Sequence, residues 1–342
     1  MPSRAFGIAA FAGAALGGAA LGYLAERRTL GEGPVAESHV LANPHRGRPV
    51  DVLAGDGTRL HAEVSGARGA PTMLFAHGVG LSQATWHYQR EAFSGDYRIV
   101  AYDQRGHGQS DRAAEGDYTI AALGRDLAAV AEACAPTGDL VLVGHSMGGM
   151  SVLAATEQSP ELLERVRAVI LVNTAANLVI GGALAASLSA VLSTVHARVS
   201  GGRRTRRRLD SDDPEDRPPT DLSYLLTRQF GLSRDAPSDI VAFVEDQLRR
   251  TPPTVLGALA PHLSTVNLVE AAAALEVPTL LISATRDRVT PAPLSGRLAE
   301  TLPDVEVRTI EGSGHTAMLE APEAVTDAMA RFIARTLDAQ AA

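Results

Sequence analysis

The 342-residue chain contains no lysine: all 31 of its basic residues are arginine. With the accompanying richness in alanine, glycine and arginine, this reads as codon bias rather than function. There is one cysteine, Cys134, which excludes an intrachain disulfide and a cysteine-based zinc site and says little about redox compartment. Its default reading is a small, partly buried residue near the end of a helix. An excess of positive charge is missing too. The 31 basic residues face 39 acidic ones, a net charge of −8, which gives no reason to expect a nucleic-acid partner. Internal repeats are also absent. What remains is 45% hydrophobic and 20% charged, a globular composition long enough for one large domain with an insertion or for two domains.

The N-terminus departs from that average. Residues 5–25, AFGIAAFAGAALGGAALGYLA, carry no charge and lie between Arg4 and Glu26-Arg27-Arg28. As a helix they would span about 30 Å, roughly the hydrocarbon thickness of a bilayer. Residues 1–28 are therefore a candidate membrane anchor, the alternative being a secretory signal that is cleaved off. Basic residues flank both ends, so the side of the membrane is not fixed. The Gly13-x-x-x-Gly17 and Gly18-x-x-x-Gly22 spacings match helix-pairing patterns, but arise easily by chance in so glycine-rich a segment. Residues 29–49, with scattered Pro, Gly and charge, read as a linker.

From residue 50 the pattern becomes regular. DVLAGDGTRLHAEVSG alternates on both sides of Gly55-Asp56-Gly57 and predicts a hairpin. Short apolar runs follow at 72–78, 98–106, 140–146 and 168–176, with helices near 119–134 and 147–158. Runs of this kind, alternating with helices, predict strands buried on both faces of a mostly parallel sheet. The rhythm stops after Ala176 and resumes at 277–285 and 304–312, ending in an amphipathic helix near 321–338. An α/β core over 50–176 and 275–338, interrupted between its sixth and seventh strands by a mostly helical cap at 177–274, accounts for this.

The motif GHSMGG (144–149) sits where a strand turns into a helix. Gly144, Gly148 and Gly149 would serve a plain turn, but small residues around Ser146 also suit a nucleophile held on a strained elbow with its hydroxyl exposed. Such a serine needs a base, and the base needs an orienting acid. His315 follows the strand at 304–312, and Asp287 follows the one at 277–285. Loops at the carboxyl ends of parallel strands converge on one edge, and the order Ser146, Asp287, His315 fits that arrangement. His77-Gly78-Val79-Gly80 ends the strand at 72–78, so the Val79 N–H, with the Met147 N–H, would hold an oxyanion. Taken singly, each piece has a plain alternative: His315 as a loop histidine, Asp287 as the cap of the turn before Pro291, His77-Gly78 as a strand end. Their joint placement after predicted strands favours catalysis. Asp103 in Tyr102-Asp103-Gln104-Arg105-Gly106 reads as structural, braced by an Asp–Arg contact.

GHSMGG with His145 beside the serine, HGVG, YDQRGHGQS, the aspartate of RDRVTP and the histidine of GSGHTAMLEAP together resemble the α/β-hydrolase superfamily over residues 50–338. The chain is similar to capped, lipase- or esterase-like actinobacterial members. The resemblance implies an eight-stranded sheet with helices on both faces, a cap over the site and no cofactor. Epoxide hydrolases and haloalkane dehalogenases of the superfamily carry aspartate where this chain has Ser146, so those chemistries are disfavoured. Cofactor-free haloperoxidase-like members share the triad, and prolyl iminopeptidase-like members share a DQRG turn.

The expected function is cleavage of a carboxylic ester with an apolar part, through an acyl-enzyme. A thioesterase or C–C bond hydrolase would use the same triad, and a membrane-tethered small-molecule binding protein with little turnover is the reading from another class. Within the insertion, the apolar stretch 177–199 suits either a pocket-facing cap helix or ordinary cap–core packing. The Arg203–Arg208 cluster would suit anionic lipid headgroups, but the acidic residues from Asp210 to Asp216 favour a self-neutralising surface loop.

Overall fold

The computed structural model describes Leu41 and residues 46–178 and 227–341; every element named below lies in the compact unit Asn43–Ala342. The candidate anchor, most of the apolar stretch 177–199 and the charged run 203–216 lie outside the described residues. Among the described ones, no helix is long and apolar enough to cross a membrane.

Eight strands form one sheet in the order β1-β2-β4-β3-β5-β6-β7-β8. β1 (Arg48–Leu53) opens two residues inside the stretch read as linker and pairs antiparallel with β2 (Arg59–Gly66). Their turn closes where Gly55-Asp56-Gly57 predicts it: the Gly57 N–H donates to Ala54 O at 2.9 Å, and the Asp56 carboxylate accepts the Thr58 N–H at 3.0 Å. β2 is also antiparallel to β4 (Arg98–Tyr102), and all remaining pairings are parallel. β3 (Thr72–Ala76), β5 (Leu140–His145) and β7 (Thr279–Ala284) are buried along their whole length. Covered on both faces, they have no solvent side to mark with polar residues, hence their continuous apolar runs.

Helices α1 (His87–Phe93), α2 (Ile120–Cys134) and α3 (Met147–Gln158) connect these strands. Thr119 caps α2 by accepting the Ala122 N–H at 3.2 Å, and Cys134 is buried at the far end of that helix. The turn after β4 is braced otherwise than expected. Asp103 accepts the N–H groups of Gln83 and Gln109 at 2.8 and 2.9 Å, and its burial outweighs them to raise its carboxyl above the ordinary range. Arg105 instead forms a bidentate pair with Asp126 on α2, both contacts at 2.6 Å. Backbone donors of neighbouring loops satisfy Asp103, which leaves the guanidinium to close on the helix.

Between β6 (Val166–Val172) and β7, the described part of the insertion holds a short π turn (Thr227–Gly231), α4 (Ser238–Arg250) and α5 (Pro253–Thr265). The insertion leaves and returns at an isolated bridge between Asn177 and Asn267, beside which the Leu268 N–H donates to Ala176 O at 2.8 Å. α6 (Val269–Ala273) then packs on α3 and on α7 (Ala292–Thr301) of the core. β8 (Val305–Ile310) and α8 (Pro322–Ala341) complete the fold.

Candidate active site

Register aligns the carboxyl ends of the strands. Ala76 lies opposite Gly144, His145 opposite Val172, Val172 opposite Ile282 and Ala284 opposite Ile310. The loops leaving β3, β5, β6, β7 and β8 therefore open on one edge of the sheet, where strand order reverses around β3.

Ser146 stands between β5 and α3 with φ 51° and ψ −118°. Positive φ at a non-glycine costs on the order of 1–3 kcal/mol and persists only where the surroundings enforce it. Here the Ser146 N–H donates to Val172 O at 3.0 Å, and the Thr174 hydroxyl donates to Ser146 O at 2.7 Å. Close approach requires the flanking glycines. A Cβ on Gly148 would stand 2.2 Å from Ala76 O, and one on Gly144 would stand 2.5 Å from Gly148 O, so the first turn of α3 can sit on the ends of β3 and β5 only without them. A Cβ on Gly78 would lie 3.2 Å from Ser146 Cβ, which brings the HGVG loop against the elbow. Met147 opens α3, so its N–H has no acceptor within the helix. Among the described residues neither it nor the Val79 N–H meets an acceptor.

Asp287 and His315 meet in the buried interior of this edge. The His315 Nδ1 lies 2.9 Å from Asp287 Oδ2. An ionised carboxylate only accepts, so Nδ1 carries the proton and Nε2 is left as the acceptor. The same Oδ2 accepts the Thr290 hydroxyl at 2.7 Å and the Asn173 amide at 2.6 Å, while Oδ1 accepts the Val289 and Thr290 N–H groups at 2.8 and 2.9 Å. Asp287 thus caps the turn before Pro291 and also contacts the histidine. Burial alone would raise its carboxyl, but the nearby His315 and these donors outweigh it and hold it well below the ordinary range. No direct hydrogen bond joins the Ser146 hydroxyl to His315 among the described residues. Such contacts tighten around substrate.

The two halves are held together by neutral imidazoles. His145 Nε2–H donates to His315 O at 2.8 Å, and burial, with His315 beside it, pushes the His145 imidazole down to about 3. His77 accepts the Gln104 N–H on Nε2 at 2.9 Å and donates from Nδ1 to Gly78 O at 2.7 Å, fixing its tautomer; burial drives it well below the ordinary range. His107 accepts the Gly80 N–H at 3.0 Å and is pushed down to about 4 by burial. Among the described residues no group of three His, Cys, Asp or Glu is arranged to hold a metal ion.

Several residues at this edge escape a motif reading. Asn173 and Thr174 follow β6; the only signal for them is a polar pair directly after the apolar run AVILV. Glu320 grips the histidine loop from the turn Ala317–Glu320: Oε1 accepts the Thr316 N–H and hydroxyl at 3.2 and 3.0 Å, and Oε2 accepts the N–H groups of Gly314 and Ser233 at 3.0 and 2.8 Å. An open, arginine-lined cleft of about 530 Å³ lies between Leu232–Asp235 and Thr285–Arg288, with Asp287 in its lining and Ser146 outside it.

An eight-stranded, mostly parallel sheet with a strained serine after β5 and an Asp–His contact after β7 and β8 defines the class of α/β-hydrolase-fold proteins. The chain belongs to that family: a family model described as alpha/beta hydrolase fold matches residues 71–322. Among relatives, the uncharacterized protein Rv2715 of Mycobacterium tuberculosis is 26% identical over 296 residues, covering 83% of this chain and 81% of its own. A putative carbamate hydrolase, RutD, of Azorhizobium caulinodans is 27% identical over 285 residues, covering 81% of this chain and 96% of its own. Among solved structures, an esterase from Exiguobacterium antarcticum superposes with a TM-score of 0.70 at 19% identity, over 83% of this chain and 98% of that one, a likeness of fold.

Proposed function

We propose that the chain is a serine hydrolase that cleaves a carboxylic ester with an apolar part through an acyl-enzyme. One observation carries this reading: a buried, anionic Asp287 holds His315 in the tautomer that leaves Nε2 free, on the sheet edge where Ser146 holds its strained backbone. In the first half-reaction His315 Nε2 takes the Ser146 proton as Oγ attacks the carbonyl carbon. The oxyanion is held by the Val79 and Met147 N–H groups, each of which contributes about 3 kcal/mol in sites of this kind. The tetrahedral adduct collapses, the C–O bond to the alcohol breaks, and His315 returns the proton to the leaving oxygen. In the second half, His315 takes a proton from water, hydroxide adds to the acyl carbon, and Ser146 leaves with that proton as the acid is released. Throughout, Asp287 stays charged and stabilises the imidazolium.

Two tests bear on this. A fluorophosphonate probe should label the wild type and not Ser146→Ala; equal labelling would remove the nucleophile assignment. A panel of esters, thioesters and carbamates of graded acyl length should show turnover highest on esters. Preference for another bond would leave the triad and move the substrate, whereas binding with negligible turnover across the panel would favour a receptor that keeps the hydrolase fold.

A further inference from the structure

Among the described residues only two non-glycines have positive φ: Ser146 at 51° and Asn173 at 47°. They occupy equivalent places, one just past β5 and the other just past the adjacent parallel strand β6. The first is the proposed nucleophile. The second has had no role, yet its backbone is held in the same rare region, and its side chain is fully buried. Its N–H continues the ladder to Ile282 O at 2.8 Å, which leaves the side chain to turn into the gap between the ends of β6 and β7. There Nδ2 donates to Asp287 Oδ2 at 2.6 Å, the oxygen that receives His315, and lies 3.4 Å from Gly314 O, next to His315 in sequence. The carboxylate can only accept, so the amide orientation is fixed by its partner. Oδ1 is then buried without a partner among the described residues. A strained backbone and an unsatisfied oxygen at one residue are both destabilising, and strain of this sort is characteristically retained at functional sites. The next residue, Thr174, donates to Ser146 O at 2.7 Å.

Resting on the serine-hydrolase reading, we infer that Asn173 is a positioning residue for the Asp287–His315 pair, and that the β6 exit, through Asn173 and Thr174, registers that pair against the nucleophile elbow. Asn173 touches no reacting atom; it acts by fixing the direction of the Asp287 lone pair that receives the His315 Nδ1–H. Asparagine suits the place because it tolerates positive φ and supplies a donor of the right reach.

The test uses two variants of the full chain on an ester that the wild type cleaves. Asn173→Gly accepts the backbone conformation without strain but deletes the donor. Its kcat should fall about 10- to 100-fold, the scale of an ångström of misalignment at a reacting group, with KM within about twofold. Asn173→Asp keeps the size and places a second carboxyl against Asp287. Two carboxylates at that distance cannot both ionise freely. With the Asp287 carboxylate and the His315 imidazole the titratable groups facing it, the pH–rate profile should gain an ionisation that the wild type lacks. Wild-type kcat in both folded variants, or an N173D profile that is only scaled down in parallel with the wild type, would overturn the assignment. Ser146→Ala run beside them separates the two readings: turnover surviving in S146A removes the serine mechanism itself, whereas a dead S146A with wild-type-like Asn173 variants removes only the positioning role.

Discussion

At the scale of single residues, Asp287 does the most with the fewest atoms. One oxygen closes its own turn through two backbone N–H groups, and the other collects three donors from β6, the acid loop and the histidine loop. Asp287→Asn keeps the volume but converts one acceptor into a donor, so on either side some donor must face another donor. The imidazole then loses the partner that selects its tautomer. We expect kcat to fall by about three to four orders of magnitude with little change in KM, as read by steady-state turnover of an ester; turnover near wild type would move the acid role elsewhere. Because the carboxyl is held well below the ordinary range, its contribution is fully present above the unfolded value of about 3.9 and is lost only as pH falls through the still lower folded value. Loss of the Asp287 charge therefore does not set the acid limb of the rate profile in the usual assay range.

At the scale of elements, the strands were legible because each carries its own signal, whereas their order in the sheet, with β4 between β2 and β3, was not. β5 reads as an apolar run with a glycine-flanked serine at its end, and the hairpin of β1 and β2 announces itself by Gly55-Asp56-Gly57. Asp287 and His315 could be named because they lie directly after such runs. Contacts made by residues with no local pattern were not legible. Arg105 skips its neighbour Asp103 for Asp126 on α2, and Asn173 looks like any polar residue leaving a strand until its φ and the approach of β7 are known. Glu320 belongs to the same group. Its carboxylate joins the inserted segment at Ser233 to the histidine loop at Gly314, where a Cβ would stand 2.4 Å from the Ser233 nitrogen. Glu320→Gln puts an NH2 group against donors that now share carboxylate oxygens, leaving at least one half-buried N–H unpaired at about 1–3 kcal/mol. The variant should lose about 10-fold in kcat/KM and unfold at a lower temperature; full activity at an unchanged melting temperature would show that the inserted segment and the histidine loop are set independently.

At the scale of the whole molecule, the site edge concentrates buried histidines, and this makes stability depend on pH in a calculable direction. His77, His107 and His145 are fully buried, with imidazoles held neutral: His107 down to about 4, His145 down to about 3 and His77 well below the ordinary value, each chiefly by burial. In the unfolded chain each would titrate near 6.5. Below that value the unfolded state binds protons that the folded state refuses, so stability must fall as pH falls, from about 6.5 down toward the folded values. Burial also raises Asp103 and Asp126, and their proton uptake on folding opposes this from the carboxylate range upward. The imidazoles act across the interval from pH 7 to 5. Three groups, each approaching 1.4 kcal/mol per pH unit near the lower end, give a loss of up to about 5 kcal/mol across it. Urea unfolding at pH 7 and at pH 5 should show the midpoint falling accordingly. In His107→Gln, which removes one of these titrating groups, the difference between the two pH values should shrink, even if the variant is less stable at both. Equal unfolding free energies at pH 7 and 5 in the wild type would mean that these rings are not held neutral, and that the edge of the sheet carrying the proposed triad is open to water in a way its packing denies.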